Sequence, residues 1–137
     1  MSDRDAREEP LKIGVLISGS GTNLQAIIDR IADGTLSASI ELVVSSRPSA
    51  YGLKRAEAAG LQTLTLSKEL YADPEIDAIY VTTPHNTHIR YLRAALAAGK
   101  HVLCEKSITL NSAELDEARA IAREHGVVLL DATTILH

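Results

Sequence analysis

Short apolar runs alternate with alanine-rich stretches along the chain from Leu11 onward. Several of these runs are continuously apolar, which is typical of strands that are buried on both faces of a parallel sheet. The pattern predicts six strands, at residues 12–17, 40–45, 63–66, 77–82, 101–104 and 127–130.

The stretches between the predicted strands have helical features. Apolar residues in 23–32 recur at the spacing of one helix face. Asn111 and Glu114 match a capping box before a helix at 112–125. Glycine, which favours the left-handed cap, follows the predicted helices 50–59, 87–98 and 112–125. Only the segment 67–75 is short, with room for about one helical turn before the Asp73-Pro74 break.

This order of elements predicts an α/β fold of the doubly wound, Rossmann-like kind. We expect a three-layer sandwich around a six-stranded parallel sheet in the order 3-2-1-4-5-6. Right-handed crossovers then place a ligand crevice between the carboxyl ends of strands 1 and 4. Residues 1–10 are charged or small and predict a disordered tail, and 11–137 predict a single domain.

Composition excludes several classes of function. The 137 residues are 45% hydrophobic and 23% charged, as in an ordinary globular domain. The net charge of −4 gives no electrostatic basis for binding nucleic acid. No apolar run is long enough to span a bilayer, and the single Cys104 excludes an intrachain disulfide, so a cytoplasmic location is expected. Without Phe or Trp, the core is expected to consist of Ala, Leu, Ile and Val.

The loop after strand 1 predicts an anion site. Glycines permit a tight turn there, and the N-terminus of the following helix offers unpaired N–H groups and a positive dipole end. The spacing starts as a dinucleotide fingerprint but has Leu24 at the third glycine position, which we expect to push the helix away from the strand. The alternative is a plain turn capped by Thr22. The candidate phosphate-binding residues are Gly19, Ser20, Gly21, Thr22 and Asn23.

The end of strand 2 lacks the acidic residue that binds the ribose hydroxyls of NAD. Arg47 stands there and can meet a 2′-phosphate, so NADP is the better dinucleotide hypothesis. The alternative is that Arg47 is a solvated loop residue.

Polar residues follow strands 4 and 5, at the predicted crevice. Lys106 can hold a negative charge or polarise a carbonyl, or it can be a surface lysine paired with Glu105. His85 and His88 can share a helical face, but we predict no metal site because no third ligand is near them in the sequence. The alternative for His88 is a capping or loop-fixing role, and Cys104 is expected in the core.

The first half of the chain resembles phosphoribosylglycinamide formyltransferase. The similarity covers about 11–66, from KIGVLISGSGTNLQAIIDRI to GLKRAEAAGLQTLTL. In that family the residues that match Gly21, Thr22 and Asn23 cradle the phosphate of a ribonucleotide, and leucine is normal at position 24.

The second half, about 72–137, resembles the NAD(P)-binding domain of the Gfo/Idh/MocA oxidoreductases. The motif T-P-x-x-x-H begins at Thr83 and Pro84 and ends at His88. The motif E-K-P matches Glu105 and Lys106, with Ser107 in place of the proline. In that family this stretch lines the nicotinamide end of the cofactor, and the lysine assists at the substrate.

Two resemblances that meet near 67–74 predict an engineered chimera, with halves 11–70 and 71–137, or else a natural mosaic. Each parent reaction would lack a required part, so we expect no catalysis, with Lys106 only a vestigial catalytic candidate. Residual binding of a phosphate-bearing small molecule, or weak binding of NAD or NADP, is expected. The alternatives are an NAD(P)-binding oxidoreductase domain and a formyltransferase-like ribonucleotide binder. A monomer or weak homodimer is expected.

Overall fold

A computed structural model of the chain describes residues 10–17, 19, 21–45, 49–64, 67–83, 87–104 and 111–131. Of the predicted tail at 1–10, residues 1–9 lie outside these residues. The strands are β1 (Leu11–Ile17), β2 (Ala38–Ser45), β3 (Thr63–Leu64), β4 (Ala78–Val81), β5 (His101–Cys104) and β6 (Leu129–Asp131). The helices are α1 (Thr22–Ala32), α2 (Tyr51–Ala58), α3 (Ser67–Ala72), α4 (His88–Ala97) and α5 (Ser112–His125).

The strands form one parallel sheet in the order β3-β2-β1-β4-β5-β6, which confirms the predicted fold. β1 lies between β2 and β4, with Val15 opposite both Val43 and Tyr80. Because the chain runs outward from β1 to β3 and then returns to start β4 beside β1, the two halves of the sheet meet at this pair.

Helices cover the sheet from both sides. Buried side chains of α1 and α2 pack with one face of β1, β2 and β4. Side chains of α3, α4 and α5 pack on the opposite face, over β4 and β5. The core is continuous where β1 meets β4. Residues of both strands are at most 1% exposed there: Val15, Ile17, Ile79 and Val81.

The core differs from the all-aliphatic one that composition predicts. Tyr80 is fully buried in β4, and Tyr91 of α4 is also buried. Gly14 in β1 explains part of the packing on the other face, since a Cβ there would lie 2.2 Å from Leu70 Cδ1 of α3. The missing side chain lets α3 pack directly on the strand.

The element ends match the predicted ones within two residues, and the later start of β6 has a clear cause. The prediction started this strand at Val127. In the structure the N–H of Val127 donates to Ala122 O at 3.0 Å, so this residue takes part in the capping turn that follows α5 and not in the strand. Gly126 ends that helix with φ of 67°, and Asn111 Oδ1 accepts from Glu114 N at 2.9 Å, as the capping pattern predicts.

Candidate functional site

A threonine connects the carboxyl ends of β1 and β4 through two hydrogen bonds. Thr82 follows β4, and both its backbone N–H and its hydroxyl donate to the carbonyl oxygen of Leu16, at 3.0 and 2.7 Å. This junction is where the strand order reverses, and ligands of open α/β sheets bind beside such a reversal. The candidate site is therefore the carboxyl edge of the sheet between β1 and β4.

The loop between β1 and α1 brings a helix N-terminus to this edge. Gly21 is the N-cap, with φ of 77°, and of the described side chains none caps the helix. The alternative in which Thr22 caps the helix is wrong, because Gly21 is the N-cap and Thr22 is already the first residue of α1. The first N–H groups of α1 consequently have no acceptor among the described side chains.

An anion fits this arrangement. The first turn of α1 contains no acidic residue, so no carboxylate of its own competes for the positive end of the helix. A Cβ built on Gly19 would meet no atom within 4 Å among those described. The donor set and the open space both suit a phosphate group.

Leu24 lies at the position where we expect a bulky residue to hold the helix farther from the strand than glycine does. The structure buries Leu24 completely, in the cluster that includes Val15 and Val43. The leucine side chain therefore fills the space between helix and sheet. With glycine at this position, the two backbones would approach each other more closely.

Sequence reasoning missed the contact of this loop with α2. The N–H of Gly52 donates to Gly19 O at 3.0 Å. A Cβ built on Gly52 would lie 2.6 Å from Ile17 Cδ1 and 3.0 Å from Gly21 Cα. A glycine in the first turn of a helix was the available clue, because its cost in a helix points to a close approach of another backbone.

The ends of β4 and β5 are joined through His88, at the start of α4. The His88 side chain is 1% exposed, and its Nε2 lies 2.8 Å from the carbonyl oxygen of Thr83. Its Nδ1 lies 3.3 Å from the Sγ atom of Cys104, which is the last residue of β5. Thr87 Oγ1 donates to Thr83 Oγ1 at 2.8 Å. His88 thus has a loop-fixing position, and Cys104 is buried as predicted.

The other candidates cannot all be placed. Among the described residues, no group of three His, Cys, Asp or Glu side chains could hold a metal ion. Two apolar cavities, of about 360 and 250 Å³, lie at the amino edge of the sheet, opposite the candidate site. The predicted site residues that lie outside the described ranges are Ser20, Arg47, Pro84, Glu105 and Lys106, together with His85.

A family model matches most of the chain. Residues 13–132 match the GFO_IDH_MocA model, described as an oxidoreductase family with an NAD-binding Rossmann fold. A dTDP-3,4-didehydro-2,6-dideoxy-alpha-D-glucose 3-reductase from Streptomyces antibioticus is 36% identical over 96 residues, which is 70% of this chain and 29% of that protein. Phosphoribosylglycinamide formyltransferase from Dictyostelium discoideum is 52% identical over 64 residues, 45% of this chain and 31% of that protein.

Solved structures are similar over nearly the whole chain. A 3-ketoreductase from Actinomadura kijaniata, in complex with NADP and TDP-benzene, has a TM-score of 0.78 at 27% identity, over 94% of this chain and 39% of its own. The gentamicin A biosynthesis protein GenD2, in complex with NAD, has a TM-score of 0.75 at 28% identity, over 90% of this chain and 34% of its own. The chain thus spans about a third of each of these two structures.

These matches change the balance between the two resemblances. The family model runs from β1 to the residue after β6, across the segment 67–74 where the two halves were expected to join. The formyltransferase match is partial. The matches therefore favour the oxidoreductase alternative and give no support to an engineered chimera. No described helix is long and apolar enough to cross a membrane.

Proposed function

Because the chain belongs to the Gfo/Idh/MocA oxidoreductase family, we propose that it is the cofactor-binding part of an NAD(P)-dependent oxidoreductase. The N-terminus of α1, which no described side chain caps, lies beside the junction of β1 and β4, and this observation carries the proposal. Similar structures that contain NAD or NADP support a pyridine nucleotide as the ligand.

The first turn of α1 has the donors that a pyrophosphate requires. The N–H groups of Thr22 and Asn23, with the helix dipole behind them, would hold its negative charge. Gly21 brings backbone close to the phosphate, and Gly19 leaves open space for it. We assign the nicotinamide end to the loop that begins at Thr83, on the opposite side of the crevice.

The nicotinamide, when bound, supplies a hydride donor or acceptor. The described residues hold the strands and loops of the site in position. Thr82 ties β4 to β1, and His88 ties the start of the loop after β4 to the end of β5. Lys106 remains our candidate for contact with the substrate, through its match to the family motif. We also propose that residues 11–137 form a single domain and that the protein is a monomer or a weak homodimer.

A second candidate function is the binding of a ribonucleotide phosphate at the same loop. The partial match to a formyltransferase supports it, since the segment Gly21-Thr22-Asn23 matches the phosphate cradle of that family. The two candidates differ in what else they need. A dinucleotide also uses the loop after β4, whereas a ribonucleotide phosphate needs only the first turn of α1.

Calorimetric titration with NAD⁺, NADP⁺, 5′-AMP and ribose 5-phosphate separates the two candidates. Dinucleotide binding with Kd below about 100 µM, and weaker binding of the two smaller phosphates, supports the oxidoreductase proposal. Equal affinity for ribose 5-phosphate and for both dinucleotides supports the second candidate. If none of the four ligands binds, both candidates fail.

A further inference from the structure

β6 is an edge strand of the sheet. It pairs with β5 on one side, and among the described strands none lies on its other side. An edge strand offers backbone donors and acceptors to a further strand, and proteins commonly protect it with charged residues or proline. Residues 127–130, which lead into this strand, are all apolar and include no proline. The sequence therefore leaves this part of the edge without such protection.

Two hydrogen bonds show which backbone groups point to the outer edge. The carbonyl oxygen of Val128, the residue before β6, accepts from Val102 N–H of β5 at 2.9 Å. The N–H of Val128 donates to Nδ1 of His101, also in β5, at 3.0 Å. Val128 thus uses both of its backbone groups on the side of β5. Because these groups alternate in direction along a strand, the N–H and the carbonyl oxygen of Leu129 point to the outer edge.

Two side chains beside this edge are apolar and exposed. Leu130 lies opposite Leu103 of β5, whose side chain belongs to the buried cluster under α1 and α2. Val128 is two residues before Leu130 and therefore lies on the same face. The helices do not bury these two side chains, since Val128 is 49% exposed and Leu130 is 43% exposed. A strand that pairs with β6 would cover both of them.

We infer that β6 pairs with β6 of a second copy of the chain, in antiparallel orientation about a two-fold axis at Leu129. In this register the two copies of Leu129 exchange two backbone hydrogen bonds. Val128 stands opposite Leu130 of the second copy, and both side chains lie on the same face. A second copy fits because the edge is complementary to itself: each donor meets an acceptor, and the facing side chains are apolar and uncharged.

The inference commits to the homodimer among the oligomeric states proposed above. A ladder of about three residues buries much less than the roughly 800 Å² per partner of a standard interface, so we expect a Kd of about 100 µM. β5 separates β6 from β4, and with it from the crevice between β1 and β4. Pairing of β6 and binding of a dinucleotide are therefore independent, and failure of one leaves the other in place.

Sedimentation velocity over protein concentrations that span the expected Kd tests the inference. Val128→Lys/Leu130→Lys places like charges opposite each other in the proposed register and should weaken the dimer at least about tenfold. Val128→Lys/Leu130→Glu places opposite charges there instead, so its Kd should stay within about threefold of that of the unchanged protein. Leu11→Lys, at an exposed position of β1 on the same face, is the matched control and should leave the Kd unchanged.

Three results would overturn the inference. The unchanged protein could stay monomeric at every concentration. The two double variants could weaken the dimer equally, which contradicts the register. Leu11→Lys could weaken it as much as Val128→Lys/Leu130→Lys, which means that the copies associate through the face of the sheet.

If a double variant does not fold, amide NMR of the unchanged protein on dilution decides. The amides of Leu129 and Leu130 should shift with concentration, while that of Thr63 in the opposite edge strand β3 should not. Constant shifts at Leu129 and Leu130, or a shift at Thr63 alone, would contradict pairing through β6.

Discussion

The imidazole of His88 donates from Nε2 to the carbonyl oxygen of Thr83, over 2.8 Å. A carbonyl can only accept, so this contact fixes the proton of the neutral ring on Nε2. The other nitrogen, Nδ1, then accepts from the thiol of Cys104. One buried ring thereby connects the start of the loop after β4 to the end of β5.

Replacing His88 with Phe should destabilise the protein by about 1–3 kcal/mol, because the buried carbonyl of Thr83 loses its donor. Urea denaturation of the two proteins under the same conditions measures the difference. The control is His125→Gln at the exposed end of α5, with an expected change within about 0.5 kcal/mol. Equal effects of the two substitutions would contradict a structural role for His88.

Nitrogen-15 chemical shifts of the His88 ring give a second measurement. We expect the shifts of an Nε2–H tautomer in the folded protein. An Nδ1–H tautomer would mean that the ring does not donate to Thr83.

Cys104 should be protected from thiol reagents in the folded protein. Its side chain is fully buried, and it is the single cysteine of the chain. We expect reaction with a disulfide reagent such as DTNB to be at least about a hundredfold slower than in denatured protein, because the thiol must wait for an opening of the fold. Denatured protein, which should release one equivalent, is the control. Immediate and complete reaction of the folded protein would show that the end of β5 is open.

Gly52→Ala should lower the stability even though alanine is the better helix former. The new methyl group would lie 2.6 Å from Ile17 Cδ1 and 3.0 Å from the backbone of Gly21. We expect a net loss of about 1–2 kcal/mol, since overpacking outweighs the gain in helix propensity. Gly19→Ala is the matched control, because a methyl group there meets nothing within 4 Å among the described atoms. A stabilised Gly52→Ala variant would refute the close contact of α2 with the loop.

The ion pair between α4 and α5 should give a pH dependence in the acid range. Arg93 Nε and Nη2 bind the two carboxylate oxygens of Glu117 at 2.6 and 2.9 Å. These hydrogen bonds hold the pKa of Glu117 below its ordinary value. The stabilisation is therefore complete above that ordinary pKa and disappears as the pH falls through the lowered one.

Carbon-13 titration of the Glu117 carboxyl group measures this pKa. Arg93→Gln should raise the titration midpoint towards the ordinary value of a glutamate. An unchanged midpoint in Arg93→Gln would show that the ion pair does not persist in solution.

The sheet could be predicted from the sequence because local pattern and chain topology agree. Apolar runs mark the strands, and the glycines at 60, 99 and 126 take the positive φ values that end the preceding helices. The right-handed crossover rule, applied to two β-α-β-α-β halves, then favours the doubly wound strand order. The limits of β6 could not be predicted in this way, because the hydrogen bond from Val127 to Ala122 competes with strand pairing.

The site was less predictable, because contacts between distant segments determine it. The pattern around Gly19 and Gly21 indicated the loop after β1, but it did not indicate that Gly52 of α2 donates to Gly19 O. His88 was a candidate through a family motif, and only the fold brings it to Cys104. The two halves of the chain have motifs that resemble different families. These motifs therefore did not indicate that one family model matches residues 13–132.

Titration of NADP⁺ into ¹⁵N-labelled protein, followed by amide NMR, tests whether a pyridine nucleotide binds at the carboxyl edge of the sheet. We expect saturable shifts at Gly19, Gly21, Asn23 and Thr83, on both sides of the junction of β1 and β4. Residues at the amino edge of the sheet, such as Ala38 and His101, should stay unchanged. The absence of any shift at the carboxyl edge, or shifts confined to the amino edge, would contradict a pyridine-nucleotide site at this position.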